Sequence, residues 1–282
     1  MKEILGRSLA AAVAVLAAVH CAGDPEKEAV RRVSVTAGLD HSEWARLLAK
    51  YVDERGLVDY ARWKATPADL TALQTYLARI AAPPQPAAAG NDLAASLINA
   101  YNAATIGWVL ENFPIESIRS TDGPFRKRRH RVGGEAVSLD DIEHGTLRPL
   151  IGYRVHAALV CAARSCPPLR REAYEAARLE KQLDAAMRTW LARGDLNRVR
   201  PVENRIRVSP IFRWFAEDFE KAGGVRAVLR KYTTPEVARR LADPRLEIRY
   251  LRYDWGLNDR EGRGARYGRV RLFWDDLRNR RR

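Results

Sequence analysis

The chain predicts an α+β domain, mostly helical with a small antiparallel or mixed sheet, and three observations lead there. Segments with helical apolar period dominate, the extended segments are short and come as hairpins, and strand and helix nowhere alternate as a parallel sheet requires. At 282 residues, 46% hydrophobic with 7 Trp and 10 Tyr, the chain can fill one large packed domain with extensions.

Residues 1–23 read as an export signal, with Lys2 and Arg7 ahead of the apolar run from Leu9 to Val19. That run is too short for a stable membrane anchor. Cys21 stands where a lipoprotein signal places its lipidated cysteine, although His20 occupies a position normally held by a small residue; ordinary cleavage after Gly23 is the alternative. Both readings predict an exported protein, periplasmic or lipid-anchored at the membrane. Residues 24–39, charged and then weakly β-prone, read as a linker or arm, 40–258 as a single globular domain and 259–282 as a basic tail.

Within the domain, Asp40 and Glu43 match a capping box, and Trp44, Leu47, Leu48 and Tyr51 follow at helical spacing until Gly56. Val58-Asp59-Tyr60 predicts a short extended piece. Thr66-Pro67 opens a helix carrying Leu70, Leu73, Leu77 and Ile80, and the prolines from Pro83 to Pro86 make a loop. Asn91 to Asn112 is apolar on most sides and ends at Phe113-Pro114, which predicts a helix buried in the core. Arg131 to Val137 reads as a hairpin turning at Gly133-Gly134. Ser138 with Asp141 caps a helix that carries Glu143, His144 and Arg148 and is closed by Pro149. Tyr153 to Val160 predicts a core strand, whose alternation would point His156 away from Cys161. An amphipathic helix over Leu179 to Leu191, a hairpin over Val199 to Val208 turning at Glu203-Asn204, a helix opened by Ser209-Pro210, two further helices and an extended Leu246 to Leu251 complete the domain.

The net charge is +14, with a dense basic run at Arg126-Lys127-Arg128-Arg129-His130-Arg131. Much of the excess is arginine spread through helices and in the tail from Arg278 to Arg282, which suits a solvated face. Export argues against nucleic acid as a partner and leaves an anionic membrane surface as the electrostatic one.

Chemistry concentrates at His156-Ala157-Ala158-Leu159-Val160-Cys161-Ala162-Ala163-Arg164-Ser165-Cys166-Pro167-Pro168, which holds two of the three cysteines. A thiol nucleophile needs a base and a group to orient that base. Cys161 can supply the sulfur and His144 the base, with Glu143, Asp140 or Asn99 orienting it. Glu143 and His144 are helix neighbours that point in different directions, which makes Glu143 a poor orienter of His144. The competing reading is a Cys161–Cys166 disulfide that clamps the loop before Pro167-Pro168. His144, His156, Cys161 and Cys166 match no closed zinc spacing, so neither metal nor other cofactor is expected. Asn99 and Asn102 share one helix face beside Tyr101, and buried amides there must bind backbone, water or substrate. Arg148 should find a carboxylate from another element or from substrate. His41 and His130, isolated among charges, read as surface residues.

The segments Asn99-Ala100-Tyr101-Asn102, Asp141-Ile142-Glu143-His144 with Arg148, and Cys161 to Pro168 together resemble the family called domain of unknown function 547 (DUF547). The resemblance runs from about Gly56 to about Asn258 and includes Ser209-Pro210-Ile211-Phe212, Asp218-Phe219 and Tyr253-Asp254-Trp255. One departure is Ser96-Leu97, where the family carries a bulky aromatic; small residues there suggest a looser core or a wider pocket. The order of elements is also loosely similar to papain-like or transglutaminase-like folds, in which a cysteine opens the buried helix, whereas here that helix offers Asn99 and Asn102. Two functions follow as expectations. One is a thiol-dependent hydrolase or acyl transferase acting on a cell-envelope substrate, with Cys161, His144 and Glu143 catalytic and Asn99, Tyr101, Asn102, Arg148 and His156 binding. The other is a non-catalytic binding or scaffold module with a structural disulfide.

Overall fold

The computed structural model describes residues 31–202 and 204–263. Three helices come first: α1 (Ser42–Tyr51), α2 (Tyr60–Lys64) and α3 (Pro67–Ala81). Asp40 accepts from the amide and hydroxyl of Ser42, both at 2.9 Å, but the N-cap is His41 and Glu43 accepts from Arg46 instead of reaching back, so the expected capping box does not form. The apolar face of α1 then packs by aromatic stacking, Trp44 on Tyr76 of α3 at 5.9 Å and Tyr51 on Trp63 of α2 at 4.6 Å between centroids. α2 replaces the expected extended piece: Asp59 accepts from the Arg62 amide at 3.1 Å and starts a helix, leaving only single-residue bridges at Val58.

These helices pack on α4 (Gly90–Asn112), whose residues from Ala94 to Gly107 are all buried. Helix α4 is long and apolar enough to cross a membrane, but protein covers most of that stretch. Beyond it lie the hairpin β1 (His130–Val132) and β2 (Glu135–Val137), then a π helix (Asp141–Leu147) running directly into α5 (Arg148–Ile151). Ser138 and Asp141 form the expected reciprocal cap, Ser138 N–H to Asp141 Oδ2 at 2.8 Å and Asp141 N–H to Ser138 Oγ at 3.0 Å. Pro149 does not close this helix; it sits in the first turn of α5, where a missing N–H is tolerated.

The predicted strand from Tyr153 to Val160 is absent. A 3₁₀ turn (Gly152–Arg154) leads into α6 (Val155–Ala158), and only Leu159-Val160 runs extended. Gly152 at φ +61° makes the tight entry that a strand would not need. Helix α7 (Leu179–Ala192) packs on α6, and a three-stranded sheet follows, with β3 (Arg198–Val202) antiparallel to β4 (Arg205–Val208) and β4 parallel to β5 (Glu247–Tyr250). Between β4 and β5 come α8 (Ile211–Trp214), α9 (Ala216–Glu220), α10 (Gly224–Tyr232) and α11 (Pro235–Arg240). The α+β class holds, with two small sheets among many helices.

Both expected edges of the domain move outward. Residues 31–39 are not a free linker: Val33 and Val35 are buried, Val33 N–H reaches Thr146 Oγ1 at 2.8 Å, and Val35 C=O accepts from Ala88 at 2.8 Å. The alternation of Val33 and Val35 is what buries this arm. At the other end Asp259 is buried and Arg260 N–H binds Val58 C=O at 2.9 Å, so the expected tail begins as part of the domain. The expected signal segment at 1–23 with Cys21, the rest of the expected linker and the basic residues from 264 lie outside the described residues.

The arm depends on Gly133, which has φ +57° and whose added Cβ would lie 1.9 Å from the Ser34 carbonyl oxygen. Gly133→Ala should therefore lose about 2–4 kcal/mol in urea denaturation, since left-handed strain and a backbone clash add.

Candidate active site

A cavity of about 800 Å³ opens between the π helix, the loop after α6, the start of α8 and the segment at Tyr253 to Trp255. Its sulfur is delivered by backbone held from two sides. Asn102 of α4 brackets the extended residues before Cys161, its amide donating to Ala158 C=O at 3.0 Å and its oxygen accepting from Val160 N–H at 2.9 Å. After Cys161, Ala162 turns the chain at φ +56°, a left-handed conformation that alanine rarely takes. The C-terminal segment then binds this loop: Asn258 N–H to Ala162 C=O at 3.0 Å, Arg164 N–H to Gly256 C=O at 2.7 Å and Ser165 N–H to Asp254 C=O at 3.2 Å.

This pairing brings the Tyr253 hydroxyl 3.1 Å from Cys161 Sγ, while Cys161 N–H donates to Cys166 Sγ at 2.8 Å. Both cysteines are free thiols, so the pair is not disulfide-bonded here. Burial disfavours the Cys161 thiolate, but hydrogen bonds from Cys166, Tyr253 and the amides of Ala163 and Cys161 itself outweigh it and hold the thiol below its ordinary pKa. Burial, reinforced by Cys161, pushes the Cys166 thiol well up.

Opposite lie Asp140, Glu143, His144 and Arg148. In an α helix Glu143 and His144 would diverge, and Glu143 and Arg148 would not share a face. The π helix, with Arg148 N–H bonded to Glu143 C=O, widens the turn and lets all three line the cavity. Glu143 is buried; desolvation, then the charges of Asp140 and Cys161, push its pKa to about 8. Tyr101 Oη is 3.5 Å from one of its oxygens and His156 Nδ1 is 3.8 Å from the other.

Behind them stands an ion network. His156 Nε2 meets Asp218 Oδ2 at 2.7 Å, and Arg148 grips the same carboxylate with two bonds at 2.7 and 3.0 Å. Although burial opposes ionisation, these partners hold Asp218 far below the usual carboxylate range. Phe215 stacks on the His156 ring at 4.0 Å and lies under the Arg148 guanidinium at 5.2 Å. Burial favours neutral imidazole in both His156 and His144. His144 Nδ1 lies 3.1 Å from Arg148 and its Nε2 3.9 Å from Asp140.

Cys161, Glu143, His144, Tyr101, Arg148 and His156 thus share one cavity. Their roles differ. The sulfur binds Tyr253, whereas His144 is tied to Arg148 and Asp140. The amides of Asn99 and Asn102 are engaged by backbone and do not line the cavity: Asn102 holds Ala158 and Val160, and Asn99 holds Tyr174 through its amide at 2.8 Å and its oxygen at 2.9 Å. His156 faces the site because it sits on α6 rather than on a strand. Arg148 finds Asp218, a carboxylate from another element. Neither His41 nor His130 is an open surface residue: His41 bridges Tyr76 Oη at 2.8 Å and Ser96 Oγ at 3.1 Å, and His130 has a buried, unpaired Nε2 and a pKa lowered by burial to about 4. Ser96 is fully buried in that contact and is not among the residues that line the cavity. The basic run from Arg126 is neutralised locally, with Arg126 on Asp140 at 2.8 Å, Lys127 on Asp122 at 3.0 Å and Arg129 on Asp141 at 2.8 Å.

Sequence reasoning missed Tyr253 and Asp218 as members of the site. Each stood in a segment noted only for its resemblance, and no spacing ties residues so distant to Cys161.

Residues 88–191 match the family model described as "Protein of unknown function, DUF547". The chain carries a DUF547 domain. The match spans α4 to α7 and includes Asn102, Glu143, His144 and Cys161, a narrower range than the resemblance read from sequence. Asp218 and Tyr253, which complete the DUF547 site here, come from beyond the matched residues. No curated protein and no solved structure matches the chain, so the papain-like or transglutaminase-like similarity gains no support.

Two outcomes follow. Glu143 holds its proton to about pH 8 when folded and loses it near the ordinary glutamate value when unfolded, so stability falls as pH rises between those limits. Glu143→Gln should melt close to the parent at pH 4.5 and several degrees higher at pH 8, read by thermal scans in matched buffers. Asn102→Ala strands the Val160 N–H and the Ala158 carbonyl and should cost about 2–4 kcal/mol in denaturant titration.

Proposed function

We propose that this DUF547 protein is a thiol-dependent acyl-transfer enzyme, a hydrolase or transferase, with Cys161 as nucleophile and Glu143 as the group that moves the proton. What supports the reading is one pairing: a thiol held below its ordinary pKa and a carboxyl raised to about 8, lining the same cavity. The sulfur then ionises more readily than an ordinary thiol while the carboxyl keeps its proton at neutral pH, the pairing of nucleophile and acid that acyl transfer uses.

The Cys161 sulfur attacks the acyl carbon, the bond to the leaving group breaks, and Glu143 protonates that group. The acyl group now rests on sulfur as a thioester. Glu143, now a carboxylate, takes a proton from water or from an acceptor hydroxyl or amine as it attacks, and the Cys161 thiolate leaves. Tyr253 holds the sulfur in place at 3.1 Å. Asp218 orients Arg148 and His156, which form the wall beside Glu143. His144, at the cavity surface between Arg148 and Asp140, is placed to bind substrate rather than to draw the thiol proton. The apolar N-terminal segment directs this activity to a cell-envelope substrate, in the periplasm or at an anionic membrane surface.

Alkylation by iodoacetamide across pH should label Cys161 with a midpoint below that of an ordinary thiol, about 8.5. Turnover of a panel of ester, thioester and amide substrates should disappear in Cys161→Ala and fall at least ~100-fold in Glu143→Gln. The decline of turnover in the parent near pH 8, where Glu143 loses its proton, should be missing from that variant. A parent protein that turns over none of these substrates, carries both sulfurs as a disulfide and loses only stability in Cys161→Ser would instead favour a scaffold module.

A further inference from the structure

Acyl transfer uses one sulfur, yet the cavity holds two. Cys166 Sγ accepts from the Cys161 amide at 2.8 Å, which places the second sulfur beside the backbone that carries the first. The chain between them is already folded back. Ala162 makes the turn at φ +56°, Cys166 N–H binds Ala163 C=O at 3.1 Å, and the C-terminal segment holds Arg164 and Ser165 by their amides. The Asp254 N–H in turn donates to Ser165 Oγ at 2.9 Å. Bringing two cysteines of a flexible loop together normally costs closure entropy; here folding has met that cost before any S–S bond forms.

The two thiols also differ in the way stepwise oxidation needs. Cys161 is partly exposed to the cavity and its sulfur ionises more readily than an ordinary thiol, whereas Cys166 is buried and stays protonated. Attack on an oxidant requires a thiolate that a small molecule can reach; the resolving group needs only to wait nearby.

We propose that Cys161 and Cys166 form a reversible oxidation site for a hydroperoxide, in which Cys161 is oxidised and Cys166 resolves it as an intramolecular disulfide. The Cys161 thiolate attacks the terminal peroxide oxygen, the O–O bond breaks, and alkoxide, or hydroxide from hydrogen peroxide itself, leaves as a sulfenic acid forms. The Cys166 sulfur then attacks the Cys161 sulfur, the S–O bond breaks, and water departs with the Cys166 proton. Two thiols lose two electrons and the peroxide gains them. The disulfide removes the cavity's nucleophile and blocks further oxidation, and an external dithiol restores both. This site stands on the sulfurs alone and does not require the acyl-transfer reading.

The test uses the full chain with stoichiometric hydrogen peroxide, followed by intact mass and a non-reducing peptide map. The parent should lose about 2 Da, map the link to Cys161 and Cys166, and return to its starting mass with dithiothreitol. Cys166→Ser, checked for folding by its thermal transition, should instead accumulate sulfenic acid at Cys161, captured by a cyclic dione, and pass on to sulfinic acid. Parent protein that captures as much dione at Cys161 as Cys166→Ser, that fails to react with peroxide, or that links Cys161 to Cys21 would overturn the proposal. A protein that forms the link yet turns over no acyl substrate would retain this site and sink the enzymatic reading; turnover without the link would do the reverse.

Discussion

Backbone groups buried around Cys161 must be paired, and the site follows from which groups pair them. An unpaired buried amide or carbonyl costs about 1–3 kcal/mol, and residues 158 to 166 pass through the interior without joining a sheet. Asn102 takes one side of this stretch, and the backbone of residues 254 to 258 takes the other. Because that second partner comes from near the end of the domain, it delivers Tyr253 to the sulfur as a by-product of satisfying the loop. The same pairing forces Ala162 into a left-handed turn, which sets the two thiols side by side.

Carboxyl groups close together in the same region meet opposite fates, and their partners explain it. Asp218 receives a two-bond guanidinium grip and an imidazole, so burial is outweighed and the group stays ionised. Glu143 receives one long phenol bond and faces a second carboxylate and a sulfur that favours negative charge, so burial prevails and the group stays protonated near neutral pH. The ionised one positions; the protonated one has a proton to give. The π helix is what admits Glu143 to the cavity without withdrawing His144 or Arg148 from it.

Much of this was legible in the residues themselves. The Ser138 and Asp141 cap, the Gly133-Gly134 hairpin, Pro67 at a helix start and the mostly apolar surface of α4 are local signals, and each acts within a few residues of where it is written. The strand expected before Cys161 failed for the opposite reason: Val155 to Val160 is apolar enough for either conformation, and burial against α7 and Asn102 chose a helix and a two-residue extension. Asn99 and Asn102 looked like binding amides because a sequence shows a polar group in an apolar face but not the backbone it answers.

By itself the sequence determined the α+β class, the buried helix, the two thiols and the presence of the glutamate, histidine and arginine that accompany them. Tertiary structure alone decided that the sulfur's partner is Tyr253, that Asp218 locks Arg148 and His156, and that Glu143 and His144 face one cavity. Caps, turns and periodicity act over one or two helical turns. A pKa or a hydrogen bond across 92 residues, as between Cys161 and Tyr253, depends on which distant surfaces fold into contact.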